Sequence, residues 1–460
     1  MNFKTRKVIG EIMISINKNS LTPTKLIAIG YCALITFGAI LLMLPISCRE
    51  GVMTPFKNAL FTATSATCVT GLVVYDTYSH WSVFGQIVIL SLIQIGGIGF
   101  MTIAISALAF TKKKIGLQQR VTMQESVAAP QVGGIVRMTK FILYGTITIE
   151  AIGAALLAFR FIPKLGFIKG IYFSVFHSIS AFCNAGIDLM GIFAPSSSLT
   201  TVSSDVVINL TIAGLIAIGG LGFFVWSDII NNKHHLRRYR LHSKLVIAAT
   251  FILIVAGTII IFALEHNNVT MKDMTLPEKV LASIFQSVTP RTAGFNSLDL
   301  PKMTEASQFV MIILMLIGGS PGSTAGGIKT TTASILFLSI FTEFKKRKSI
   351  ECFRRRIDDS TLRHACCILV MYLILLVGGA VLISAVDTVP IKDALYETTS
   401  AIGTVGLSLG ITPTLSAFSQ AILIMLMFVG RVGGITLLLA FGNRASSAPS
   451  QLPVEKINVG

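Results

Sequence analysis

Four tetrapeptides of this chain, "CVTG", "CNAG", "RTAG" and "GTVG", end on Gly71, Gly186, Gly294 and Gly406. None of them carries a side-chain carboxylate; what they offer is backbone carbonyl oxygen. Turning consecutive carbonyls toward one axis needs conformations that a residue with a Cβ resists, which explains the closing glycine. The carbonyls of Val69, Thr70 and Gly71, of Asn184, Ala185 and Gly186, of Thr292, Ala293 and Gly294, and of Thr404, Val405 and Gly406 could replace a cation's hydration shell. Uncharged oxygens favour a monovalent ion, since calcium and magnesium recruit carboxylates or keep their water.

A lone glycine of this kind is as well explained by close helix packing. Four at matched distances are not. Six residues upstream stand Ser65, Ser180, Val288 and Ser400, and five upstream Ala66, Ala181, Thr289 and Ala401. Pro55, Pro277 and Pro390 lie where a short helix would begin, and the second segment has no such proline. Each segment is of helical length but too short to cross a bilayer. A half-helix that enters and stops would leave its last carbonyls, the negative end of its dipole, near the ion.

A second unusual stretch is "IGGSPGSTAGGIKTTT", residues 317–332, which interrupts a run of hydrocarbon. Irregular backbone at membrane depth must line a wet cavity or be satisfied by protein. Gly318, Gly319, Gly322, Gly326 and Gly327 supply mobility, while Ser320, Ser323, Thr324 and Thr330–Thr332 supply hydrogen-bond partners; Lys329 closes the stretch. It is not a nucleotide-binding loop, because Ile328 separates the second glycine from the lysine and an apolar helix precedes it in place of a strand.

These residues need a membrane scaffold, and the composition supplies one. Of 460 residues 53% are hydrophobic and only 13% charged, more apolar surface than a soluble chain could bury. The net charge of +17 sits in short blocks between apolar runs ("KKKIGLQQR", "KHHLRRYRLHSK", "KKRKSIECFRRR"), which marks cytoplasmic loops and argues against nucleic acid. Apolar windows near 22–46, 83–107, 138–162, 205–230, 244–265, 305–341, 364–386 and 415–440 make eight spans. The second spans of each pair share "IQIGGIGF", "IAIGGLGF", "MLIGGSPG" and "MFVGRVGG", with first glycines at 96, 219, 318 and 430. The expected fold is an all-α integral membrane protein of four tandem helix–pore-loop–helix repeats, eight crossing helices and four re-entrant half-helices about one central pore. The repeats occupy 22–110, 138–231, 244–341 and 364–442, joined by linkers 111–137, 232–243 and 342–363, with termini 1–21 and 443–460 on the cytoplasmic side. The first apolar run is too long for a signal-peptide core and is expected to remain as a span.

The motifs "ATCVTGL", "AFCNAGI", "TPRTAGF" and "SAIGTVGL", over about residues 20–442, resemble the Ktr/Trk/HKT superfamily of potassium transporters, and the eight-span layout is most similar to its Ktr-type membrane subunit. The resemblance implies a pore in each chain selective for K+ as the transported ion, without an organic cofactor, with sodium dependence open. It implies that Gly71 matters most, since relatives with serine there tend to pass sodium. It further implies an intramembrane gate at 318–327, with Arg431 projecting below the filter toward it. It also implies a homodimer in a bacterial plasma membrane, served by a cytoplasmic ring of nucleotide-binding, RCK-type regulatory subunits. The basic loops could dock that ring or anionic membrane lipid. Alternatives are a TrkH-type subunit and a secondary carrier for another solute. A membrane hydrolase lacks any usable triad of His, Asp or Cys.

The other buried charges are expected to be structural. Arg291 would repel a permeant ion and is expected to point behind its hairpin toward Asp299, Glu397 or Asp393. Glu150 is expected to meet Lys329 or another helix, and His177 to pack rather than relay protons. The seven cysteines show no metal or disulfide spacing, and Cys32, Cys48, Cys352, Cys366 and Cys367 read as small buried apolar residues.

Overall fold

The computed structural model describes residues 23–99 and 134–433, with residues 121 and 124. The Lys112–Lys114 block, most of the 111–137 linker, both termini and the ends of the spans expected at 83–107 and 415–440 lie outside the described residues.

Among the described residues four helices are each long and apolar enough to cross a bilayer: α1 (Pro23–Met43), α4 (Ile135–Leu165), α8 (Leu241–Glu265) and α12 (Asp359–Asp387). A short helix follows each and packs against it: α2 (Phe56–Thr67), α5 (Phe167–Phe182), α9 (Leu276–Val288) and α13 (Ile391–Gly403). Local sequence sets their starts. Pro55 and Pro390 occupy N-caps, Gly166 turns the chain with φ 82°, and Thr275 with Glu278 forms a capping box around Pro277. At 12, 16, 13 and 13 residues they reach about 18–24 Å, short of the ~30 Å hydrocarbon core.

Of the helices that follow the short ones, the third is interrupted as expected, and the second departs from the uninterrupted span expected of it. α3 (Val83–Ile98) stops at Gly99, α6 (Val206–Leu221) at Gly222 and α14 (Ala417–Val432) at Gly433, glycines with φ of 91°, 89° and 92°. The span expected at 205–230 is in fact two helices, α6 and α7 (Phe223–Asn232), meeting at 93°. Gly222 ends the helical ladder, and the Phe223 amide donates instead to Gly322 O at 2.8 Å. The third such helix divides into α10 (Glu305–Leu316) and α11 (Thr330–Phe344), flanking residues 317–329.

The glycines 96, 219 and 430 are contact points. A Cβ on any of them would overlap the carbonyl of Thr67, Phe182 or Ile402 respectively, at the inner end of the preceding short helix. Each of these helices therefore lies directly on the end of the short helix before it. Within the 342–363 linker a two-residue hairpin pairs β1 (Glu351–Cys352) with β2 (Arg355–Arg356). Cys48 is buried and Cys352 half-buried, but Cys32, Cys366 and Cys367 are exposed, on the outward faces of α1 and α12. The expectation of burial fails for these three because the long helices turn most of their apolar surface outward, where lipid is the solvent.

Candidate functional site

The four short helices end around one centre. A Cβ built on Gly71 would lie 2.5 Å from Ala185 O, one on Gly186 2.5 Å from Ala293 O, and one on Gly294 2.6 Å from Val405 O. One on Gly406 would overlap Thr70 O. Each glycine thus faces the carbonyl that precedes the next glycine, and the fourth returns to the first. The circuit is closed.

Backbone conformation repeats around it. The glycines have φ of 100°, 64°, 83° and 91°, and two residues earlier Val69, Asn184, Thr292 and Thr404 also take positive φ, at 57°, 60°, 70° and 51°. The intervening Thr70, Ala185, Ala293 and Val405 do not. Alternation of this kind points successive carbonyls the same way. Three of the four strained positions hold β-branched residues, for which left-handed backbone is a true outlier costing about 1–3 kcal/mol. Sequence reasoning named these residues for their carbonyls but not for their left-handed backbone. The glycines advertise the conformation, whereas a valine or threonine there carries no local signal.

Hydroxyls and amides over-determine these turns. The amides of Thr70, Ala185 and Val405 donate to the carbonyls of Ser65, Ser180 and Ser400, each at 2.8 Å. Ser65 Oγ and Ser400 Oγ accept from the amides of Gly71 and Gly406 at 3.0 Å, while Ser180 Oγ donates to Ile187 O at 2.6 Å. The third hairpin has Val288 at this position, and Thr289, one residue on, supplies the hydroxyl to Phe295 O. All four glycines line one cavity of about 480 Å³, whose wall includes Asp76, Asp188 and Asp299.

On the other side of the ring lies the glycine-rich stretch, held largely by protein. Its amides at Gly318, Ser320, Thr324 and Thr330 donate to Ile328, Gly220, Gly219 and Gly319 carbonyls at 2.8, 3.0, 3.3 and 2.9 Å. Ser320 Oγ donates to Leu221 O at 2.5 Å and Ser323 Oγ to Ser320 O at 2.6 Å. Gly319 is crowded by Ala325 and Gly220, and Gly327 takes φ 67° beside Gly403 O. Lys329 Nζ donates to Ala325 O at 2.7 Å. Arg431 crosses beneath, donating to Thr324 O, to Gly96 O, and to Gly97 O at 2.9 Å. Through these bonds it ties the stretch to the end of α3.

A ring of backbone oxygens with an arginine beneath it is an arrangement that can pass ions. The TrkH family, described as a cation transport protein, matches residues 25–451. The chain belongs to that family. It is 41% identical over 450 residues to the potassium/sodium uptake protein NtpJ of Enterococcus hirae, covering 96% of this chain and 98% of that one. It is 40% identical over 427 residues to the Ktr system potassium uptake protein B of Bacillus subtilis, covering 93% and 94%. The crystal structure of the potassium transporter TrkH from Vibrio parahaemolyticus shares the fold, with a TM-score of 0.73 at 18% identity over 92% of this chain and 85% of that one.

Within this TrkH-family chain the remaining buried polar groups sit behind the ring. Arg291, 6% exposed, turns away from the axis, but not to an acid: Nη2 donates to Thr250 Oγ1 of α8 at 3.2 Å. The acids expected to receive it are engaged or elsewhere. Asp299 pairs with Lys302 at 2.7 Å, and Glu397 accepts from Ser408 Oγ, Leu409 N and Thr412 Oγ1. Asp393 lies in the first turn of α13, far along the helix from its ring end. Glu150 meets Gln94 Nε2 at 3.1 Å and lies 3.9 Å from Cys183 Sγ; Lys329 is occupied by Ala325. His177 hydrogen-bonds to Phe173 O at 2.8 Å and to the Leu189 amide at 3.3 Å, among four phenylalanines.

Proposed function

We propose that this chain is the pore-forming subunit of a potassium uptake system. Four helix–pore-loop–helix repeats surround one path, the carbonyls ending at Gly71, Gly186, Gly294 and Gly406 replace the ion's water, and residues 318–327 form the gate. The closed circuit of glycines and carbonyls carries this reading, because no side-chain chemistry competes for it and desolvated alkali cations are stabilised by such rings. The names of the two relatives support potassium as the ion. The membrane potential would drive inward flow, at ~2.3 kcal/mol per charge per 100 mV. The chain works as a homodimer in the bacterial plasma membrane, with both termini and the basic segments 233–244 and 345–356 facing a cytoplasmic ring of nucleotide-binding subunits.

Uptake of rubidium, potassium, sodium and lithium into vesicles containing the protein tests this. Rubidium and potassium should enter well ahead of lithium and sodium. Equal passage of sodium and potassium would overturn the selectivity, and passage of neither the function.

The outer cavity adds a pH dependence. Asp188 stands beyond the helix ends, and burial pushes its carboxyl up to about 6, with the nearby Asp76 carboxylate adding to the rise. Above that pH the carboxylate is charged and enriches cations at the mouth; below it the charge is lost. Asp299 contributes less, being paired with Lys302 at 2.7 Å. Uptake at subsaturating potassium should therefore fall as external pH drops through about 6, and Asp188→Asn should flatten that step while lowering uptake at neutral pH. An unchanged profile in the variant would remove Asp188 from the account.

A further inference from the structure

Gate and ring are joined by a contact that neither role requires. Thr324 Oγ1, within the glycine-rich stretch, donates to Phe182 O at 3.1 Å, and Phe182 is the last residue of the second half-helix. That carbonyl is one of the orphan acceptors at a helix end. Two residues on, the Asn184 amide is best oriented with its nitrogen donating to Ala181 O and Phe182 O at 3.2 Å and its oxygen accepting from Thr292 Oγ1 at 3.2 Å. Phe182 O is therefore shared by the gate and by the strained residue of the second hairpin, which in turn touches the third.

The rest of Thr324 belongs to the gate. Its amide donates to Gly219 O at 3.3 Å and its carbonyl accepts from Arg431. The same stretch also underlies the third and fourth hairpins: a Cβ on Gly326 would overlap the Thr404 side chain, and one on Gly318 would lie 3.2 Å from Thr292 Cγ2. Thr292 and Thr404 are positive-φ residues of their hairpins, and so is Asn184, which shares Phe182 O with Thr324, so the gate abuts positions where the ring stores strain.

We propose that Thr324 is a positioning residue that couples gate to filter, so that moving the gate loosens the second hairpin and ion discrimination depends on the gate's position. This rests on the potassium-pore reading above. A loop that only blocked the path would change the flux of all ions alike when weakened. A loop whose hydroxyl holds Phe182 O changes their ratio as well.

The test compares wild type, Thr324→Val and Thr324→Ser in vesicles, normalised to inserted protein, for rubidium and sodium uptake and for amide hydrogen exchange over residues 183–187. Valine keeps the shape and removes the donor; serine keeps the donor. The valine variant should lower the rubidium-to-sodium ratio at least about threefold, the scale of one lost neutral hydrogen bond. It should also speed exchange at Asn184 and Ala185, with serine near wild type in both. A valine variant with the wild-type ratio and wild-type exchange, or a serine variant as altered as valine, overturns the coupling. If wild type itself shows no preference for rubidium, the potassium reading fails, and the exchange comparison still decides whether the hydroxyl holds the hairpin.

Discussion

Gly71→Ser is expected to lower the potassium-to-sodium uptake ratio by about tenfold or more and to reduce potassium uptake itself, with the protein still inserted. Two effects act at that position. The backbone sits at φ 100°, where any side chain is strained, and the new Cβ would lie 2.5 Å from Ala185 O. Relief of that overlap would displace the carbonyl of the neighbouring hairpin, and with it one wall of the proposed filter, in which the number and placement of oxygens would discriminate between ions. The serine hydroxyl can fill part of the gap, but it is not fixed by a turn as a peptide oxygen is. Gly51→Ser separates the two effects. Gly51 also has positive φ, at 71°, but open space around its Cβ position. Its variant should show only a backbone penalty of roughly 1 kcal/mol or less in stability and an unaltered ion ratio. An unchanged ratio in Gly71→Ser, or equal changes in both variants, would mean that the ring does not set selectivity.

The parts of this site that sequence makes legible are those where one residue type is required. Glycine is needed where neighbouring carbonyls leave no room for a Cβ, so Gly71, Gly186, Gly294 and Gly406 recur at matched spacing. The serines six residues upstream recur because a hydroxyl is needed to hold the turn, and Thr289 one residue later replaces the one that Val288 cannot supply. What was not legible depends on tertiary context. Val69, Thr292 and Thr404 adopt left-handed backbone against their own preference, held by the surrounding hydrogen bonds. Hydropathy could not reveal the bend at Gly222, because residues on both sides of it are equally apolar; the break exists so that Phe223 N can meet Gly322 O in another repeat. Charge pairing suggested an acid for Arg291, yet a guanidinium behind the hairpin found a threonine hydroxyl on α8, since the nearby acids already brace other loops.

Arg431→Ala is expected to raise ion uptake by about tenfold. A charge at this depth costs at least ~2.5 kcal/mol to place, so its partners must return comparable energy when the path is closed. They are three carbonyls, Thr324 O on the proposed gate and Gly96 O and Gly97 O at the end of α3. Hydrogen bonds from a charged donor contribute about 1.5–3 kcal/mol each, and only the bond to Thr324 must break for the gate to move, which sets the size of the effect. A second contribution has the same sign. The guanidinium puts positive charge just inside the ring, where it opposes a permeant cation. Arg431→Gln distinguishes clamp from charge, because the amide can still donate to Thr324 O but carries no charge. If the hydrogen bond dominates, glutamine stays near wild-type uptake and alanine alone is open. If repulsion dominates, both variants pass ions at similar elevated rates. Unchanged or lower flux in correctly inserted alanine protein would show that the guanidinium neither holds the gate nor opposes the ion, and that its three carbonyl contacts only brace the inner ends of the broken helices.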